Sequence, residues 1–101
     1  MNLREVQETQ AAYDANHWSH EPGEQTISHS ERHITKLAGK IATIAEIYDH
    51  GEKPDLAQLD AEVIPDLLIF AARLANDRGI DLAQAFRQRT DGLKQRFSVP
   101  E

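Results

Sequence analysis

The residues Ile34, Leu37, Ile41, Ile44 and Tyr48 follow one another at alternating intervals of three and four. This spacing lays them along one narrow stripe of an α-helix, and such a stripe is stable only when another helix covers it. No part of the chain sustains the apolar–polar alternation of a strand, so the expected fold class is all-α, a small four-helix bundle. A chain of 101 residues fits a single domain over 1–101 with one modest core.

Capping residues divide the rest. Asn2 and Glu5 predict a capping box for a first helix that carries Leu3, Val6, Gln10, Tyr13 and His17 along one side and ends near Trp18. The segment "SHEPGEQTI", residues 19–27, reads as a flexible loop around Pro22 and Gly23. Ser28 and Glu31 predict a second capping box, and Gly51 and Pro54 end the helix that it opens. A third helix begins after Asp55, with Gln58 at the capping-box position, and holds Pro65, which should kink it or divide it. From Leu67 to Ala75 this helix is apolar almost all round, as a helix paired with a second copy of the chain would be. Gly79 caps it. Asp81 and Gln84 open a fourth helix that should turn Leu82, Ala85, Phe86, Leu93 and Phe97 inward, with Gly92 weakening its later half.

Charge and composition exclude several classes. Seventeen acids against eleven bases give a formal charge of −6, which removes the field that would hold a nucleic-acid backbone. Without cysteine, neither a disulfide framework nor a thiolate zinc site is available. No apolar run approaches the ~18 residues of a membrane span, and "MNLREVQETQ" lacks a signal core, so the expected location is the cytoplasm.

At "AEVIPDLLIFAARLANDRGIDLAQAFRQR", followed by "KQRF", the chain resembles the MazG-like all-α nucleoside-triphosphate pyrophosphohydrolases. The likeness runs from about His29 onward and is strongest from Glu62 to Phe97. It implies a bundle that assembles as a dimer or higher oligomer, binds Mg2+ through carboxylates on facing helices, and splits a nucleoside triphosphate into monophosphate and pyrophosphate. Hard divalent cations suit such oxygen ligands, and they neutralise the triphosphate and activate water.

Set on the family's first acidic motif, "KLAGKIATIAE" places Gly39, Lys40 and Thr43 at its three glutamate positions. In the second motif Asp66 matches the aspartate, but Val63 stands at the glutamate. Arg89 stands where the family carries a lysine, Arg96 matches the closing arginine, and Leu93 replaces a polar residue. Two functions of different class follow. Glu46, Glu62 and Asp66 rebuild a Mg2+ site and the chain hydrolyses nucleoside triphosphates; or it is a catalytically inactive nucleotide-binding or oligomeric interaction module. Lys40 either contacts phosphate oxygens directly or rests on a solvated helix face. Arg89 and Arg96, two helical turns apart, either reach a triphosphate or solvate the last helix.

His29 and His33 are four apart, a spacing that can chelate zinc, but no third ligand accompanies them, and surface or partly packed histidines are the simpler reading. Tyr13 and Trp18 read as packing residues. In a nucleotide pocket, the first helix would supply the wall beside the base.

Overall fold

The chain enters its first helix as its opening residues dictate. In the computed structural model, which describes residues 1–97, the Asn2 side chain accepts the Glu5 N–H at 2.8 Å, and Glu5 accepts the Asn2 N–H at 3.3 Å. Four α-helices follow: α1 (Leu3–His17), α2 (Glu24–Asp49), α3 (Ile64–Arg78) and α4 (Leu82–Arg96). No strand occurs among the described residues, and no helix is long and apolar enough to cross a membrane.

The second helix begins at Glu24 rather than Ser28. Gly23, at φ 82°, turns the chain, and its N–H donates to both carboxylate oxygens of Asp77 at 3.0 and 3.1 Å. Glu21 accepts the Thr26 hydroxyl at its carbonyl and donates its N–H to Gln25 Oε1. These bonds make residues 24–27 helical, so the connection is shorter than the expected 19–27 loop. Glu31 accepts from the Thr35 hydroxyl and forms no box with Ser28. The far end closes as expected: Gly51 is left-handed at φ 75°, and Gly51 and Glu52 donate to the carbonyls of Tyr48 and Ile47, which satisfies two orphan acceptors of the last turn.

Pro65 is absorbed in a way that neither a kink nor a break describes. A π-helical turn, Leu59–Val63, precedes it, and the Ile64 N–H donates five residues back to Leu59. The widened turn comes just before the residue that has no N–H to give and whose ring would crowd the carbonyl four positions earlier. At the helix entry Asp55 accepts the Ala57 N–H, while Gln58 donates to Glu62.

The apolar core lies between α2 and α3. Leu37, Val63 and Phe70 form it, with Trp18, Ile34, Leu59 and Leu67 packed around them. Since Phe70 lies beside His33 and Val63 clusters with Leu37, the two helices run antiparallel. Between α1 and α3 the interface is polar. Gln7 donates to Asn76 Oδ1 and the Ile80 carbonyl, accepts the Leu82 N–H, and receives the Asn76 side chain at its own carbonyl. The inward stripe of α1 therefore runs through Gln7, Gln10 and Asp14. Tyr13 and His17, expected on that side, are exposed, because the hydrogen bonds offered by α3 decide the rotation of α1.

The described residues form an all-α bundle of four α-helices, and an open one. α3 packs against both α1 and α2, whereas α4 packs along α1. With no second neighbour to receive them, Phe86 and Phe97 are 64% and 65% exposed instead of inward. The radius of gyration is 16.5 Å, against about 13 Å for a compact chain of this length.

Candidate functional site

A cleft of about 390 Å³ opens where α1, the first half of α2 and α3 meet. Thr9, Gln10 and Tyr13 come from α1, His33 from α2, and Asp66, Ile69, Phe70 and Arg73 from α3. The His33 and Phe70 rings are stacked, 5.3 Å apart at 15°, and Tyr13 adds a third ring. Its size is within the range of small-molecule sites, which pair apolar walls with a few fixed polar groups. Here the polar groups are the Thr9 hydroxyl, the Gln10 amide and the half-buried Asp66 carboxylate.

Arg73 sets the rigidity of this wall. Its guanidinium donates to both Asp14 oxygens, Nη2 at 2.8 Å and Nε at 3.1 and 3.2 Å, and Gln10 donates to the same carboxylate at 2.9 Å. The cation also lies 3.8 Å over the Trp18 ring and 5.1 Å from that of Phe70. A ladder of rings continues from the cleft toward the connection between α1 and α2: Phe70, His33, His29, His20 and Trp18, with successive centroids 4.3–5.3 Å apart. Burial lowers the His29 pKa below its ordinary value, and the nearby His33, His20, Arg73 and Arg32 push it the same way.

The positions singled out in the sequence are scattered. Asp66 lines the cleft. Glu62 is exposed on the π-helical turn, where it accepts from Gln58, and Glu46 is exposed on α2. Among the described residues no three His, Cys, Asp or Glu side chains form a group able to hold a metal ion, so Glu46, Glu62 and Asp66 do not assemble a metal site within one chain. His29 and His33 do not either: their rings face each other at a 40° tilt, which stacks the imidazoles instead of converging their in-plane lone pairs. Lys40 is exposed on α2, and Thr43 spends its hydroxyl on the Gly39 carbonyl. Arg89 and Arg96 are exposed on α4 and line no wall of the cleft; Arg96 lies 5.3 Å over Phe97.

Sequence patterns do not mark Arg73 and Asp14 as partners, and they place Gln10 inward and His33 beside His29 without joining either to this cleft. One signal was present: a lone arginine inside "LIFAARLA" requires a buried acceptor, since a charge is seldom buried unpaired. Comparison with known proteins finds no protein family, no curated protein and no solved structure that matches this chain.

Proposed function

We propose that the chain is an oligomeric helical module that binds a nucleotide in the cleft between α1, α2 and α3. The observation that carries this reading is the grouping of Tyr13, His33 and Phe70 with Asp66. Flat rings hold a base by its faces, and a carboxylate accepts its N–H edge. The reading keeps the ligand class, a nucleoside triphosphate, that the MazG-like resemblance implies. Lys40 lies seven residues beyond His33 on the same side of α2, about 10 Å along the helix. That span suits a phosphate chain leading away from a base at His33.

Hydrolysis with Mg2+ calls for further carboxylates beside Asp66, and in this reading a second copy supplies them. Two observations support a second copy. The α2 stripe is covered at Leu37 but leaves Ile41 and Tyr48 41% and 54% exposed, and Ile64 and Leu68 of α3 are exposed as well. The accessible surface is 7837 Å², whereas a compact monomer of 11.4 kDa exposes about 5,800 Å². The excess, about 2,000 Å², is in the range that one partner of an obligate dimer buries.

The test is equilibrium titration of the chain with nucleosides and nucleoside triphosphates, beside Tyr13→Ala, with products followed in Mg2+ or Mn2+. Tyr13 is 56% exposed, so its truncation leaves the fold intact. Base stacking on one ring contributes roughly 1–3 kcal/mol, and the variant should bind about 5- to 150-fold more weakly. Absence of any nucleoside or nucleotide binding by folded protein refutes the reading. Release of pyrophosphate that is lost in Asp66→Ala would assign hydrolysis as well.

A further inference from the structure

We propose that the pocket between the 18–23 connection and the first turns of α2 is an oxyanion site for a phosphoryl group. It is separate from the cleft, being lined by His20, Gln25, Ser28, His29 and Arg32, with Glu24 as its one acid, and it encloses about 390 Å³. Every residue except Glu24 can donate a hydrogen bond. Gln25 has its Oε1 occupied by the Glu21 N–H, which leaves its NH2 to donate. Arg32 has no carboxylate partner: the ion pair of the described residues belongs to Arg73 and Asp14. A guanidinium fork with two imidazoles and a hydroxyl is the donor set that fits tetrahedral oxyanions.

The surroundings explain why an anion belongs there. Around His29 stand His20 from the connection, Arg32 and His33 from α2, and Arg73 from α3, all acting against its protonation. The nearby acids of α1 and α3 are committed elsewhere, Asp14 to Arg73 and Asp77 to the Gly23 N–H. Asp66 lies in the cleft at the other end of the ladder. Against the exposed Glu24 as its one carboxylate the pocket sets His20, His29 and Arg32, so a phosphoryl group adds negative charge there and allows an imidazole to hold a proton as it binds. Inorganic phosphate itself takes up a proton near about pH 7, so affinity rises as pH falls from about 8 toward 7, by up to about tenfold per pH unit for each proton taken up, and levels off below that.

Trp18, the single tryptophan, reports on the site, because its ring lies 4.4 Å from that of His20 and 4.8 Å from that of His29, and protonated imidazole quenches indole emission. The experiment titrates the full chain with inorganic phosphate at pH 6 and pH 8, at constant ionic strength set with chloride. Saturable quenching is expected at pH 6, with several-fold weaker binding at pH 8. Arg32 is exposed, so Arg32→Gln should keep its helical circular dichroism while losing at least about tenfold in phosphate affinity. Adenosine and adenosine 5′-monophosphate identify the source of the group. Adenosine should leave the Trp18 response of this pocket unchanged. The monophosphate should reproduce the response to phosphate, and Tyr13→Ala, which changes the separate cleft, should leave both responses unchanged. No saturable response to phosphate at pH 6, or an equal response from folded Arg32→Gln, overturns the proposal.

Discussion

Replacing Arg73 by methionine removes the charge that α3 offers to α1 and leaves most of the side-chain volume. The Arg73 and Asp14 side chains are 8% and 15% exposed, so the lost partner leaves the Asp14 carboxylate out of water with only the Gln10 amide to bond it. Removing one member of a buried pair costs about 3–5 kcal/mol. Loss of the cation over Trp18 at 3.8 Å adds roughly 0.5–2 kcal/mol. A domain of this size has about 5–15 kcal/mol in total and moves roughly 4–8 °C per kcal/mol, so Arg73→Met should lower the melting temperature by at least about 12 °C. Asp14→Leu alone should be comparably damaging. The double variant, which removes both charges, should recover to within about 1 kcal/mol of the parent, because two matched apolar groups avoid the desolvation cost. Urea denaturation followed by circular dichroism at one fixed protein concentration measures all three, the fixed concentration guarding against a contribution from assembly. Single variants that each lose less than about 1 kcal/mol, or a double variant equal to the sum of the singles, would refute a coupled clamp.

Glycine positions give a paired test. Gly92 is helical with nothing within 4 Å of an added Cβ, so Gly92→Ala should stabilise by about 0.5–1 kcal/mol. Gly79→Ala, at φ 66°, should cost roughly 1–2 kcal/mol instead, both read from urea midpoints. Acid should weaken the fold through His29: its lowered folded pKa means that the unfolded chain binds the proton more readily, so its contribution is complete above about 6.5 and is lost as pH falls below that value. In phosphate-free buffer the urea midpoint should drop between pH 7.5 and 5.5, a window above ordinary carboxylate values, and His29→Gln should flatten the drop; an unchanged slope contradicts it. Tyr48→Glu and Leu68→Glu change exposed side chains and should leave helix content intact while shifting light-scattering mass toward the monomer.

How much was legible depended on whether one segment contained its own partners. Asn2 with Glu5, Asp81 with Gln84, and the left-handed Gly51 and Gly79 were readable because each bond closes within a few residues. Ser28 and Glu31 had the same local pattern, and tertiary contacts overrode it: Asp77, far along the chain, holds Gly23 and starts the helix a turn earlier. The interface of α1 was misread for a related cause. Gln10 was expected inward and is buried, but periodicity ranks residues by hydropathy, and Gln7 and Asp14 are inward because Asn76, the Leu82 N–H and Arg73 await them. Of the candidate site, Asp66 is legible as a metal-ligand candidate, whereas Tyr13 reads as a packing residue of α1; their meeting with His33 and Phe70 rests on the antiparallel register of α2 and α3, which no local pattern encodes.

The two interfaces of α3 divide the work between them. Its α2 side is apolar and non-directional, so it supplies burial but tolerates small shifts of register. Its α1 side is held by Gln7–Asn76 and Arg73–Asp14, whose directional bonds fail if α1 turns or slides by one residue. The α1 wall of the cleft, with Thr9, Gln10 and Tyr13, is thereby set by polar contacts, even though hydrophobic contacts hold the helices that carry His33 and Phe70. A cleft formed at such a junction keeps its shape through the polar side and can gain area through the apolar side. Covering Ile41 and Tyr48 with a second chain would stiffen α2 without touching the cleft's α1 wall. Assembly and ligand binding would then be separable by mutation, with Tyr48 acting on the first and Tyr13 on the second.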